Sequence, residues 1–260
     1  PGRAVIEYGG VHKRFDDLTV LAGVDLEVRE GEMFGVFGPS GTGKSVLLKT
    51  TIGLIDPDRG EVAVEGEVVR STDRHSLARI RHKVGYVFQN AALFDSFNVW
   101  ENVEMGIPEE ELRGLSRLER TRRIHRSLEL VNLEALEVLE KLPSELSGGM
   151  RKRVGIARAI VGRPRILLWD EPTTGLDPVN TAAVERLIEQ LSEELNVTSV
   201  IVTHDIEGGL LMCDRVAMLQ GGRLRFFGTP DAFRASDDPF VRAFADRSAA
   251  QAALDHLEIA

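Results

Sequence analysis

The spacing of hydrophobic residues changes along the chain and predicts two kinds of structure. Apolar and polar residues alternate between Val5 and Val28, which is typical of half-buried antiparallel strands. From Asn90 to about Arg163 the strand-type runs vanish, and apolar residues recur at helical spacing among many Glu, Arg and Leu residues. Short, mainly apolar segments on either side predict buried strands at residues 33–37, 84–88, 165–172 and 200–203. The pattern therefore predicts an α/β core with a helical insertion.

Further patterns fill in the order of elements. Glu61 to Val69 alternates like one hairpin strand, and residues 215–219 and 223–227 predict a closing hairpin around two glycines. A helical apolar stripe between Val184 and Leu195 predicts a core helix. Residues 248–260 carry a weaker stripe, so this tail either frays or docks on a neighbour, and docking is the favoured interpretation.

Composition narrows the class of protein. The net charge of −9 argues against nucleic-acid binding and against a general attraction to anionic lipid. No stretch approaches the roughly 20 apolar residues of a membrane span, and no leader pattern opens the chain, so a soluble protein that is not secreted is expected. The only cysteine, Cys213, can form no internal disulfide and is interpreted as an inert packed thiol.

A phosphate-binding loop follows the first buried strand. It consists of Gly38, Pro39, Ser40, Gly41, Thr42, Gly43, Lys44 and Ser45. Its small residues allow the backbone N–H groups and the N-terminus of the next helix to approach an anion, Lys44 adds a cation, and Ser45 offers a hydroxyl to Mg²⁺. Phe15, 23 positions ahead of Gly38, suits either stacking on an adenine ring or a core role. The loop therefore predicts a bound nucleotide with Mg²⁺, and the family resemblance that the later motifs carry implies that the nucleotide is ATP.

Polar residues end three further buried strands. Gln89 follows one, Asp170 and Glu171 follow another, and His204 follows the last. Strand carboxyl ends form the ligand side of an α/β sheet. Asp170 is expected to hold the metal through water, Glu171 to orient and deprotonate the attacking water, and His204 to donate to the γ-phosphoryl group.

A second anion site is predicted at a helix start. Ser147 is placed to cap the helix, and Gly148 and Gly149 leave its first N–H groups uncovered, although an ordinary capped helix is the alternative. Two other segments stay open at this point. The aromatic stretch 90–100 suits a partner surface or a local core, and the six arginines of residues 113–126 favour a solvated helix face over a phosphate site.

In this order the motifs resemble the ATPase subunit of an ABC transporter over about residues 4–235. The resemblance implies a P-loop NTPase (RecA-like) core with an antiparallel β subdomain and an inserted α-helical subdomain. The chain would then divide into a core of residues 1–89 and 164–235, a helical subdomain of residues 90–163 and a C-terminal extension of residues 236–260. The resemblance also assigns Gln89 to the catalytic site. It assigns Ser45, Gln89 and Asp170 to the metal site. A head-to-tail homodimer is implied, in which Ser147, Gly148, Gly149 and Asp177 face the nucleotide of the other copy.

Segments 40–49, 88–94, 146–153, 237–239 and 241–244 are similar to the Mla/Mce branch, which moves lipids between bacterial membranes. That likeness implies a peripheral subunit at the cytoplasmic face of the inner membrane, bound to an integral membrane permease. It leaves room for a small regulatory subunit and a substrate-binding Mce-type protein.

The chain departs from the broad family at two places. Met150 replaces the usual Gln, and Thr174-Gly175 replaces the commoner Ser-Ala, which could alter communication between the nucleotide sites. An amino-acid or sugar importer is the nearer rival interpretation, followed by a soluble ABC ATPase without a permease. A regulator that binds ATP without hydrolysing it is disfavoured by Glu171 and His204.

Overall fold

A computed structural model describes residues 2–246 of the chain. These residues belong to two compact units, one built from the chain up to Ile80 and from Thr198 onward, the other from Arg81–Val197. The tail predicted at residues 248–260 lies outside the described residues, and the segment boundaries expected at residues 89, 163 and 235 stay predictions. No helix within residues 2–246 combines the length and apolarity needed to cross a bilayer.

The strands are β1 (Ala4–Phe15), β2 (Leu18–Arg29), β3 (Met33–Phe37), β4 (Arg59–Val64), β5 (Glu67–Val68), β6 (Val84–Val87), β7 (Ile166–Asp170), β8 (Thr198–Val202), β9 (Arg215–Gln220) and β10 (Arg223–Gly228). The helices are α1 (Lys44–Thr51), α2 (Arg74–Lys83), α3 (Val99–Glu104), α4 (Glu109–Leu112), α5 (Arg117–Leu130), α6 (Ala135–Val138), α7 (Gly148–Ile160), α8 (Pro178–Leu195), α9 (Ile206–Met212) and α10 (Pro230–Arg234). A short 3-10 helix spans Pro143–Glu145.

The first unit contains the predicted antiparallel sheet, in the order β2-β1-β4-β5. The alternation that predicted it is confirmed, because Ile6 and Tyr8 are buried while Glu7 between them is exposed. The single hairpin strand expected from Glu61 to Val69 was wrong. Glu65 and Gly66 both have positive φ, at 49° and 81°, so the chain turns there and β4 pairs with β5.

Four more strands of the first unit run in the order β10-β9-β3-β8. β3 is parallel to both β8 and β9, and the closing hairpin of β9 and β10 is confirmed. Their core includes the fully buried rings of Phe34 and Phe37. Cys213 is also buried, and desolvation raises the pKa of its thiol, so the interpretation as a packed, inert thiol is confirmed.

The second unit pairs β6 and β7 in parallel and contains the predicted helices, of which α7 packs against β6. Ser116 starts α5 with a capping box closed by Glu119. The arginines of this region form ion pairs, among them Arg120–Glu104 and Arg123–Glu111. Arg113, Arg117, Arg122 and Arg126 are exposed, as expected for a solvated face, whereas the paired Arg120 and Arg123 are half-buried.

The aromatic stretch before α3 is partly buried and partly exposed. Val99 is fully buried, whereas Phe94 and Phe97 are 49% and 37% exposed with ring centroids 5.6 Å apart. The buried amide of Asn102 holds the stretch, because it accepts from the N–H of Phe94 and donates to the carbonyls of Phe94, Phe97 and Asn98. A firmly held loop therefore presents two rings to solvent.

Candidate nucleotide site

The predicted phosphate loop joins β3 to α1 in the first unit. Gly38 and Gly43 have φ values of 147° and 96°, a region that L side chains rarely adopt. An added Cβ would lie 2.4 Å from the Leu219 carbonyl oxygen at Gly38 and 2.8 Å from the Val20 carbonyl oxygen at Gly43. Both backbone conformation and space therefore require glycine at these positions.

The side chain of Lys44 is buried against the backbone of the phosphate-binding loop. Its Nζ donates to the carbonyls of Gly38 at 2.8 Å and Pro39 at 3.0 Å, and the residue is only 4% exposed. Thr42 also donates to the Pro39 carbonyl, which ties the loop together, and Ser45 is half-buried in the first turn of α1. A buried ammonium at the start of a helix, in a glycine-rich loop, provides the donors that a phosphate group requires.

Phe15 ends β1 with its ring 43% exposed, so it does not occupy a core position. The ammonium of Lys13 lies 5.4 Å from the ring centroid. An exposed aromatic face is available for stacking on a planar ligand.

His204 follows β8, the parallel neighbour of β3, with Val202 paired to Val36. Adjacent parallel strands end at the same edge of a sheet, so His204 and the phosphate loop both follow that edge. His204 is exposed, and the next residue, Asp205, caps α9 by accepting from the N–H of Gly208. The cap holds the start of α9 directly after the histidine.

The second unit places Gln89 and Glu171 together in the same way. They follow the parallel strands β6 and β7, and Gln89 Nε2 lies 3.4 Å from Glu171 Oε2. Thr174 Oγ1 donates to that same carboxylate oxygen at 3.0 Å. Glu171 has a φ of 48°, a strained conformation for a residue with a side chain, which persists only where neighbours hold it.

Asp170 ends β7 in a buried position, 5% exposed. The hydroxyl of Tyr86 donates to its Oδ2 at 2.8 Å. Burial and a fixed hydrogen bond orient this carboxylate, and a carboxylate is a ligand that Mg²⁺ accepts.

The predicted cap of α7 is confirmed, since Ser147 Oγ accepts from the N–H of Met150 at 3.2 Å. The two following glycines have no positive φ, and an added Cβ would meet no atom closer than 3.9 Å at either Gly148 or Gly149. Neither the backbone nor the packing of this chain therefore explains glycine at these positions.

Asp177 lies near that glycine pair. It caps α8 by accepting from the N–H of Asn180 at 3.0 Å, and the Cβ position of Gly149 is 3.9 Å from Asn180 Oδ1. The bond from the Asn180 backbone, followed by that from its side chain, lowers the pKa of the exposed Asp177 carboxyl. The second unit therefore brings the start of α7 close to the start of α8.

Sequence reasoning missed three residues of the site: Tyr86, Lys152 and the hydroxyl role of Thr174. Lys152 Nζ donates to the carbonyls of Pro172 at 2.8 Å and Thr174 at 2.7 Å, and burial lowers the pKa of its ammonium. The one available signal was Tyr86, a polar aromatic residue inside an otherwise apolar strand, whose hydroxyl requires a partner when buried.

Residues 21–174 match the family model described as ABC transporter. The chain is 38% identical over 244 residues to the probable ribonucleotide transport ATP-binding protein mkl of Mycobacterium leprae, covering 94% of this chain and 69% of that protein. It is 41% identical to the methionine import ATP-binding protein MetN of Carboxydothermus hydrogenoformans, over 84% of this chain and 62% of that protein. The chain thus spans about two thirds of the length of these relatives.

A solved structure has the same fold. It is the dimeric ATP-binding cassette MJ0796 in a post-hydrolysis state bound to ADP and Pi, 33% identical, with a TM-score of 0.77, covering 86% of this chain and 98% of that one. Fold and site together define a P-loop ATPase with an antiparallel β subdomain. The chain belongs to the ABC transporter family as an ABC ATPase cassette, a class that binds ATP with Mg²⁺, forms dimers and pairs with membrane permease subunits.

Proposed function

We propose that this chain is the ATP-hydrolysing subunit of a bacterial transporter that moves lipid through a separate membrane permease. The subunit would act as a homodimer at the cytoplasmic face of the inner membrane. The geometry of the site supports the ATPase, and motif likeness alone supports the lipid cargo.

The observation that carries the ATPase dimer is the glycine pair at the start of α7. Gly148 and Gly149 are required neither by φ nor by contacts within the chain. Missing side chains at a helix N-terminus allow an anion to approach the first N–H groups, which have no acceptor within the helix. The nucleotide of a second copy is an anion that would use this opening, and Ser147 and Asp177 would border it.

The remaining residues take the roles that the family resemblance implies. Lys44 and the loop Gly38–Ser45 would bind phosphate, Phe15 would stack on the base, and Ser45, Gln89 and Asp170 would hold the metal. Bound Mg–ATP supplies an electrophilic γ-phosphorus and the cation that offsets its charge. Glu171 orients water and takes its proton, with Gln89 and Thr174 fixing the carboxylate.

His204 would donate to the oxygen on which charge develops, since it follows the same sheet edge as the loop. Phe94 and Phe97 would contact the permease, because their rings are exposed and Asn102 fixes the backbone that carries them. A regulatory subunit and an Mce-type protein are proposed only because segments of the sequence resemble the Mla/Mce branch.

The names of the relatives do not identify the cargo. Relatives of nearly equal similarity are named for ribonucleotide, methionine and spermidine or putrescine transport. Sequence similarity at this level therefore reflects the shared ATPase cassette and not the transported solute. Import of another solute is the second candidate function.

The test is to purify the chain with its permease and to identify bound molecules by mass spectrometry. The complex would then be reconstituted in phosphatidylethanolamine and phosphatidylglycerol vesicles with a fluorescent phospholipid. We expect bound phospholipid and ATP-dependent lipid movement that Glu171→Gln abolishes. A complex without lipid that instead takes up methionine or ribonucleotide in an ATP-dependent manner would replace the lipid proposal with the import one.

A further inference from the structure

One lysine of the second unit connects the α7 helix to the turn that carries Glu171. Lys152 lies on α7 five residues after Ser147, and its ammonium donates to the carbonyls of Pro172 and Thr174. Both carbonyls belong to the turn directly after Glu171. The distances of 2.8 Å and 2.7 Å are those of good charge-assisted hydrogen bonds.

If this connection served packing alone, a lysine would be a costly residue to make it. A half-buried ammonium loses water, and its two partners here are neutral carbonyls, so no opposite charge among them offsets that loss. An apolar side chain would attach a helix to a turn without this cost. What Lys152 adds is a fixed direction for two peptide groups of the turn, which an apolar contact does not provide.

The same turn controls the carboxylate of Glu171. Thr174 has its carbonyl held by Lys152 and its hydroxyl bonded to Glu171 Oε2 at 3.0 Å. Glu171 itself has a φ of 48°, so its backbone requires support from neighbours. The series Lys152, Thr174, Glu171 therefore leads from α7 to the carboxylate through two hydrogen bonds within one unit.

We propose that Lys152 and Thr174 are positioning residues for Glu171, and that through them α7 sets the alignment of the carboxylate. Helix α7 then serves two functions, because Ser147 and its glycines begin the helix and Lys152 lies little more than one turn further on. Engagement of the helix start by the nucleotide of one site would align the Glu171 that acts at the other. This inference rests on the proposed role of Glu171 as the base.

The test compares Lys152→Met with Lys152→Arg, and Thr174→Val with Thr174→Ser, in the full complex. Misplacing a catalytic group lowers turnover more than binding, so we expect kcat to fall roughly 10–100-fold in Lys152→Met and Thr174→Val, with KM for ATP changed by less than about twofold. Lys152→Arg and Thr174→Ser keep the donors and should retain most of the turnover. Arg186→Met is the matched control, because the exposed Arg186 also donates to a carbonyl in this unit but only within α8.

A second measurement separates positioning from general damage. In a Glu171→Gln background, Lys152→Met should lower the residual turnover by less than about twofold, because residues that act as one unit are not additive. A full 10–100-fold loss in that background, or normal kcat in Lys152→Met, would overturn the proposal. If Lys152→Met fails to fold by thermal melting, the Thr174 pair decides alone. Near-normal hydrolysis in Glu171→Gln itself would instead overturn the assignment of the base under the proposed function.

Discussion

Gly149→Ala is the change that most sharply separates folding from function in this chain. The added Cβ would meet no protein atom closer than 3.9 Å, and the residue has no positive φ. Alanine in a helix is favoured over glycine by about 0.5–1 kcal/mol, and by less in the first turn. We therefore expect unfolding at the same temperature or up to about 4 °C higher.

The rate of ATP turnover, unlike the unfolding temperature, should fall. The methyl group would occupy the space through which the phosphates of the second copy approach the α7 N–H groups. Each hydrogen bond to a charged group that is lost costs about 1.5–3 kcal/mol, which corresponds to a roughly 10–150-fold lower rate. ATPase assays of the complex measure the loss of turnover. Light scattering of the Glu171→Gln variant, with and without ATP, measures the formation of the dimer.

Gly155→Ala is the matched comparison on the same helix. Its Cβ would lie 3.1 Å from the Cα of Ala91, so overpacking should cost about 1–3 kcal/mol and lower the unfolding temperature by several degrees. The reasoning about the helix start would be refuted if Gly149→Ala destabilised the protein as Gly155→Ala does. Full ATPase activity in a stable Gly149→Ala complex would refute it equally.

Three further outcomes are expected. Lys44→Ala should weaken ATP binding measured by calorimetry, because the loop loses its buried cation, and unchanged affinity would contradict the phosphate role. Glu171→Gln should slow turnover about 10²–10⁴-fold, or about 3–5 kcal/mol of barrier, while ATP still binds. The pKa of Asp177 is lowered in the fold by its bonds from Asn180, so its contribution to stability is complete above its unfolded pKa and is lost as the pH falls through the folded value. In acid titrations followed by circular dichroism, Asp177→Asn should therefore lose less stability on acidification, since Asn caps helices as well as Asp does without titrating.

The parts of the site that the sequence predicted are those carried by local patterns. The loop from Gly38 to Ser45 and the cap at Ser147 depend on residues a few positions apart, and buried strands show as apolar runs. The strand ends then placed Gln89 and Glu171 correctly, because parallel neighbours end at one edge.

The parts that were missed depend on contacts between distant residues. Lys152 reaches carbonyls 20 and 22 positions further on, and Tyr86 reaches an acid 84 positions away. Lysine in a basic helix segment gives no sign of such a target, since carbonyl acceptors are present at every residue. The split of the strand near Glu65 was missed because alternation continues through a two-residue turn.

The buried Cys213 has a practical consequence for labelling studies. It is the only cysteine of the chain, it is 6% exposed, and its thiol is held in the poorly nucleophilic protonated form. Maleimide probes should therefore leave the unaltered protein almost unmodified. Single cysteines placed on the surface can report distances by fluorescence or spin resonance without first removing the native one.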